Sequence, residues 1–132
     1  MPRTPPDRFG FIPLRPVDIA HILDGDAEGG GHRFGANRKK SEFPPGWDEP
    51  ELIAAVEEIQ YRVILAYGSL SPGVFEAVIA RVKMRMIIDI DEVSQQLMVA
   101  TVIPLEGDGV TIWTSGKRKP RPLRENEAGA RI

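Results

Sequence analysis

The apolar residues of this chain change period near residue 74, and that switch dictates the order of its architecture. Over residues 48–66, Leu52, Val56, Ile59 and Val63 recur at intervals of four, three and four, which draws one apolar stripe along a helix. From Val74 the period is two. Val78, Ala80, Val82, Met84, Met86, Ile88 and Ile90 alternate with Ile79, Arg81, Lys83, Arg85, Ile87 and Asp89, the pattern of a strand with one covered face. Helices first and strands second predict an α+β fold, with N-terminal helices packed on a C-terminal antiparallel sheet.

The element ends carry their own signals. Asp48 with Glu51 three residues on makes a capping box, and Pro50 falls in the first turn, where a missing N–H is harmless. Gly68 and Ser71-Pro72-Gly73 stop the helix. A shorter helix is predicted over 17–23, behind Pro16, with Ile19, Ile22 and Leu23 on its apolar face. The alternating stretch is either one long bent strand or two strands joined by a tight turn near Ala80-Arg81. Further strands are expected over 97–104 and, after Gly107-Asp108-Gly109, over 110–115. Their short connections imply antiparallel pairing. Residues 24–47 form a long loop, of the kind that in a small domain is usually functional or disordered. Phe43 and Trp47 favour an anchored one, because large rings seek cover.

This divides the chain into a proline-rich arm or linker remnant (1–16), a folded domain (17–116) and a basic, mobile tail (117–132). Phe9, Phe11, Ile12 and Leu14 are expected to pack the arm on the domain. With 132 residues, 42% of them hydrophobic, there is material for one core. The absence of cysteine excludes disulfides, thiol nucleophiles and cysteine-ligated zinc. No apolar run is long enough to span a bilayer. The net charge of −2 gives no global basic field, but cations cluster at Arg38-Lys39-Lys40, at Arg81, Lys83 and Arg85, and from Lys117 to Arg124. Arg81, Lys83 and Arg85 stand about 7 Å apart on one strand face. They read equally as a track for a phosphate backbone or as a solvated surface.

The chain has two histidines, His21 and His32, on either side of Gly29-Gly30-Gly31. Imidazole titrates near neutrality and is the usual proton carrier in catalysis. The glycines permit unusual backbone angles and close approach to a ligand. Two surface histidines beside a flexible loop are the plain alternative. A metal site using Asp24 or Asp26 would not match known zinc spacing.

Four motifs in order, His21-Ile-Leu-Asp-Gly25, Gly29-Gly-Gly-His32-Arg33, Lys40-Ser41-Glu-Phe-Pro44 with Gly46-Trp47, and Thr101-Val-Ile-Pro104, resemble the bacterial EndoU endoribonuclease family. That family supplies RNA-cleaving domains to polymorphic and contact-dependent inhibition toxins. The motifs cover residues 21–104. The resemblance implies a fold similar to barnase, colicin ribonucleases and RelE-type toxins. It implies His21, His32, Lys40 and Thr101 as the catalytic set, with Lys83 or Arg85 as alternative sources of the cation. Gly30, Gly31, Arg33, Ser41, Lys83 and Arg85 are the expected substrate contacts. Ile103 stands where the family pattern has tyrosine, which leaves rate and nucleotide preference open.

The chemistry that this implies needs no metal and no cofactor. The RNA 2′-hydroxyl attacks phosphorus, a base takes its proton, and an acid protonates the leaving 5′ oxygen. His32 is cast as base and His21 as acid, with the reverse assignment open. The implied substrate is RNA, with tRNA as one candidate. The implied partner is a cognate immunity protein, and the implied site of action is the cytoplasm of a target bacterial cell after delivery. No membrane association is expected of the isolated domain. The alternative is a catalytically weakened module that binds RNA or a protein.

Overall fold

A computed structural model describes residues 11–124 of the chain. Two helices, α1 (Pro16–Leu23) and α2 (Glu49–Tyr67), precede five strands: β1 (Gly73–Ile79), β2 (Val82–Ile90), β3 (Leu97–Gly107), β4 (Thr111–Thr114) and β5 (Lys117–Pro120). The arrangement is α+β, with β1-β2-β3 as one antiparallel sheet and β4-β5 as a separate two-stranded ribbon.

The long helix forms as its sequence predicts. Asp48 caps it, the Glu51 carboxylate accepts from the Asp48 N–H at 2.8 Å, and Gly68 closes it in the left-handed conformation at φ 89°. Its stripe of Leu52, Val56, Ile59 and Val63 is buried in one core with Met84, Met86, Ile88, Val99 and Val102 of the sheet and Ile19, Ile22 and Leu23 of α1. Gln60 is also fully buried on α2. Its amide donates to the Ile12 carbonyl at 2.9 Å and accepts from the Ile12 N–H at 2.7 Å. A buried amide satisfied on both sides holds the arm as a strand partner would. Phe11 and Ile12 are buried and Leu14 packs against the core; Phe9 lies outside the described residues.

The alternating stretch is two strands. Ala80 and Arg81 both have positive φ, 51° and 62°, as a two-residue turn between twisted strands requires. Arg81 therefore sits in the turn, not on the strand face. Two register shifts, between Lys83 and Met84 and between Ile87 and Ile88, kink the β2–β3 pairing. Pro104 is tolerated because β3 is an edge strand.

Two expectations need correction. The strand near residues 110–115 does not join the main sheet, and its partner comes from the stretch assigned to the tail: Thr111–Thr114 pairs with Lys117–Pro120 across Ser115-Gly116. The physical reason is the turn at Gly107, whose carbonyl accepts from Val110 and sends the chain away from β3. Thr111 instead exchanges backbone hydrogen bonds with Glu42 in the long loop. No helix among the described residues is long and apolar enough to cross a membrane.

Candidate functional site

The last carbonyls of a helix lack partners within it. At the end of α1 the chain supplies them from its own next turn. The Gly31 N–H donates to the His21 and Ile22 carbonyls, the His32 N–H to Ile22 at 2.8 Å, and the Arg33 N–H to Leu23 at 2.8 Å. Residues 29–33 are thereby laid across the helix end. Such contact leaves no room for a side chain: a Cβ on Gly30, where φ is 75°, would stand 1.9 Å from the His21 carbonyl oxygen. The glycine run is thus a packing requirement, and Gly30 and Gly31, expected as substrate contacts, lie against α1. Its Gly29 and Gly31 N–H groups are engaged by Asp26 and by α1.

That packing brings His21 and His32 to one end of one helix. The His21 ring lies beside Gly30, with its Cδ2 3.2 Å from where a Gly30 Cβ would stand. Its Nδ1 pairs with the Asp26 carboxylate at 2.9 Å, and the side chain is 18% exposed. The same bond, with help from the Glu28 N–H, holds the Asp26 carboxyl below its ordinary range. His32 is only 5% exposed. Its Nδ1 lies 2.7 Å from the Ser41 carbonyl, which can only accept, so the proton is on Nδ1 and the lone pair of the neutral ring is on Nε2. Burial pushes the His32 pKa down, the positive charges of Lys40 and His21 push the same way, and the Ser41 bond and Glu42 oppose them. Among the described residues the one buried side-chain polar atom without a partner is Thr111 Oγ1. Lys40 completes the group: its Nζ is 3.2 Å from where a Gly29 Cβ would stand.

The remaining predicted residues are placed differently. The Arg33 guanidinium braces Asp24 at 2.8 Å and the α2 cap Asp48 at 2.7 Å. Lys83 and Arg85 do share the outer face of β2, but Lys83 is buried against Glu106 and Arg85 pairs with Glu76. Arg81 pairs with Asp108 at its turn. The basic face is therefore matched by carboxylates rather than bare. Thr101 and Ile103 lie on the same outer face of β3, opposite Ile87 and Arg85. The two imidazoles bond to Asp26 and Ser41, not to Thr101. Among the described residues no group of three or more His, Asp or Glu side chains is placed to hold a metal ion.

Sequence reasoning missed Glu42 and Arg118. Glu42 is 0% exposed, yet it accepts from the N–H groups of Gly35 and Asn37, from Trp113 Nε1 and from Arg118 Nε at 2.9 Å. Burial alone would raise its pKa, and these donors together bring it below the ordinary value. Arg118 in turn is sandwiched between the Phe34 and Trp113 rings, 4.7 and 4.9 Å from their centroids. This knot fixes residues 33–43, and with them the Ser41 carbonyl that orients His32. Its one sequence signal was a carboxylate set directly before Phe43 in a loop rich in anchoring rings.

Fold and site together define a small α+β domain with a histidine pair at a helix end. No protein-family model, curated protein or solved structure matches the chain.

Proposed function

We propose that the chain is an EndoU-like endoribonuclease that cleaves RNA without a metal. The observation that carries this reading is the paired anchoring of the two imidazoles, each held through Nδ1 by its own acceptor at a shared helix end. His32 has the features of a base: a fixed tautomer, a lone pair on Nε2, and a lowered pKa that keeps it neutral at about pH 7. It takes the 2′-hydroxyl proton as the 2′ oxygen attacks phosphorus. The bond to the 5′ oxygen breaks, and His21, oriented by Asp26 as an aspartate orients a catalytic histidine, delivers a proton to that leaving oxygen. Lys40, beside the pair, stabilises the non-bridging oxygens; Thr101 has that role by the motif resemblance. The products are a 2′,3′-cyclic phosphate and a 5′-hydroxyl. The barnase-like arrangement, delivery as a bacterial toxin domain and a cognate immunity protein belong to the same proposal, and they rest on the motif resemblance and the helix-then-sheet order.

The test is incubation of the purified protein with tRNA and total RNA in EDTA at about pH 7, with end-group analysis. Cyclic-phosphate ends are expected, and His32→Ala should slow cleavage by about 10²–10⁴-fold while the protein stays folded. Intact RNA, or cleavage that survives in His32→Ala, refutes the assignment. A second reading, a binding module without turnover, draws on Ile103, which sets an aliphatic side chain opposite Arg85 where the family pattern has a phenol. RNA binding that persists in a His21/His32 double variant, with no turnover in the wild type, would favour it.

A further inference from the structure

A cleft of about 390 Å³ opens on the outer face of β2 and β3. One wall carries a buried ion pair, Lys83 Nζ to Glu106 Oε1 at 3.7 Å, with both side chains 5% exposed. A pair in that position is a poor source of stability compared with apolar residues of the same volume. Around it stand Arg85, held by Glu76 at 2.7 Å, Arg124, held by Glu106 at 3.2 Å, and Arg121. Among the described residues, four cations, Lys83, Arg85, Arg121 and Arg124, line this cleft with two carboxylates, Glu76 and Glu106. The carboxylates fix Lys83, Arg85 and Arg124 in place. Arg121 is positioned by its backbone, whose N–H donates to Val110 and whose carbonyl accepts from Gly107. Arg121 and Arg124 come from the segment that the sequence left to a mobile tail. Ser41, whose carbonyl holds His32, is also in the lining.

We propose that this cleft is a subsite for the phosphodiester backbone of single-stranded RNA, linked to His32 through Ser41. Guanidinium forks suit phosphate oxygens. As a subsite for a substrate the proposal rests on the nuclease reading; as a phosphate-binding surface it can be tested separately.

The probe is a fluorescent single-stranded DNA 12-mer, which has the phosphates but lacks the 2′-hydroxyl needed for cleavage. Its affinity is measured between about 50 and 200 mM salt. The expected log–log slope is about −2, from roughly three contacts at ~0.7 each. In Arg85→Ala/Arg121→Ala, which alters two solvent-facing side chains and is checked for folding by circular dichroism, the slope becomes shallower by about 1.4 and binding weakens. Salt-independent binding, or a double variant with the wild-type slope, overturns the proposal. So does full displacement by inorganic phosphate at matched ionic strength, which would reassign the cleft to a free anion. His32→Ala separates the two readings. If it still cleaves RNA while the arginine variant loses DNA binding, the catalytic assignment falls and the subsite stands; if it stops cleavage while the arginine variant binds DNA normally, the subsite falls alone.

Discussion

Replacing Gly30 by alanine tests the contact on which the histidine pair depends. The new methyl would lie 1.9 Å from the His21 carbonyl oxygen, 2.8 Å from its carbon and 3.2 Å from Cδ2 of its ring. The first two are backbone atoms of α1 and cannot swing aside. Relief requires residues 29–32 to lift from the helix end, which pulls two donors, the Gly31 and His32 N–H groups, off the His21 and Ile22 carbonyls. Each is worth about 1 kcal/mol net. The left-handed φ of 75° adds about 1–2 kcal/mol for any residue with a Cβ. The expected loss is therefore about 3–4 kcal/mol, a large share of the stability of a small domain. Gly35→Ala is the control: its φ is 89°, but nothing lies within 4 Å of the new Cβ, so only the backbone term of about 1–2 kcal/mol applies. Urea denaturation of both variants, with m-values checked for constancy, isolates the close approach. Equal destabilisation within about 0.5 kcal/mol would refute the argument that the glycine run is there to pack on α1. RNA cleavage should fall in Gly30→Ala and persist in Gly35→Ala.

Two further predictions concern the same loop. Glu42→Gln leaves Arg118 without its buried counter-charge and should cost on the order of 3 kcal/mol; a double-mutant cycle with Arg118→Ala should show a coupling above about 1 kcal/mol, and additive losses would sink the idea that the two act as one unit. For His32 the fold lowers the pKa from 6.5, so below that value the unfolded chain binds more protons than the native one. Its contribution is complete above about pH 6.5 and is lost as pH falls through the lowered value. The urea midpoint of the wild type should therefore drop between about pH 7.5 and 5.5 by more than that of His32→Asn; identical pH slopes would mean that burial does not perturb this ring.

Local patterns made much of the fold legible. The stripe and the capping box of α2 lie within one contiguous segment, and both the helix and its ends follow from them. The hairpin at Ala80-Arg81 was legible only as one of two options, because neither residue favours positive φ and nothing marks the turn. The β4–β5 ribbon was hidden because Lys117–Pro120 has three cations and a proline, with no alternating apolar face. What holds it is Arg118 clamped by Glu42 and two rings, and Glu42 lies 76 residues away in sequence. The spacing of Lys83 and Arg85 was readable, but their neutralising partners Glu76 and Glu106 sit on neighbouring strands, and only the register reveals them. That His21 and His32 share one helix end depends on the backbone bonds from residues 31–33 to α1, which eleven residues of separation do not announce. The tautomer of His32 was equally hidden, because a backbone carbonyl sets it, and backbone acceptors carry no signature in side-chain sequence.

The knot of Glu42 with Arg118 also imposes an order of events on the making of the protein. A ribosome delivers both imidazoles well before Arg118, the guanidinium that clamps the loop behind His32. Until the β4–β5 ribbon has closed, the nascent polypeptide carries both rings without that clamp. The loop therefore gains its brace only after β5 has left the exit tunnel.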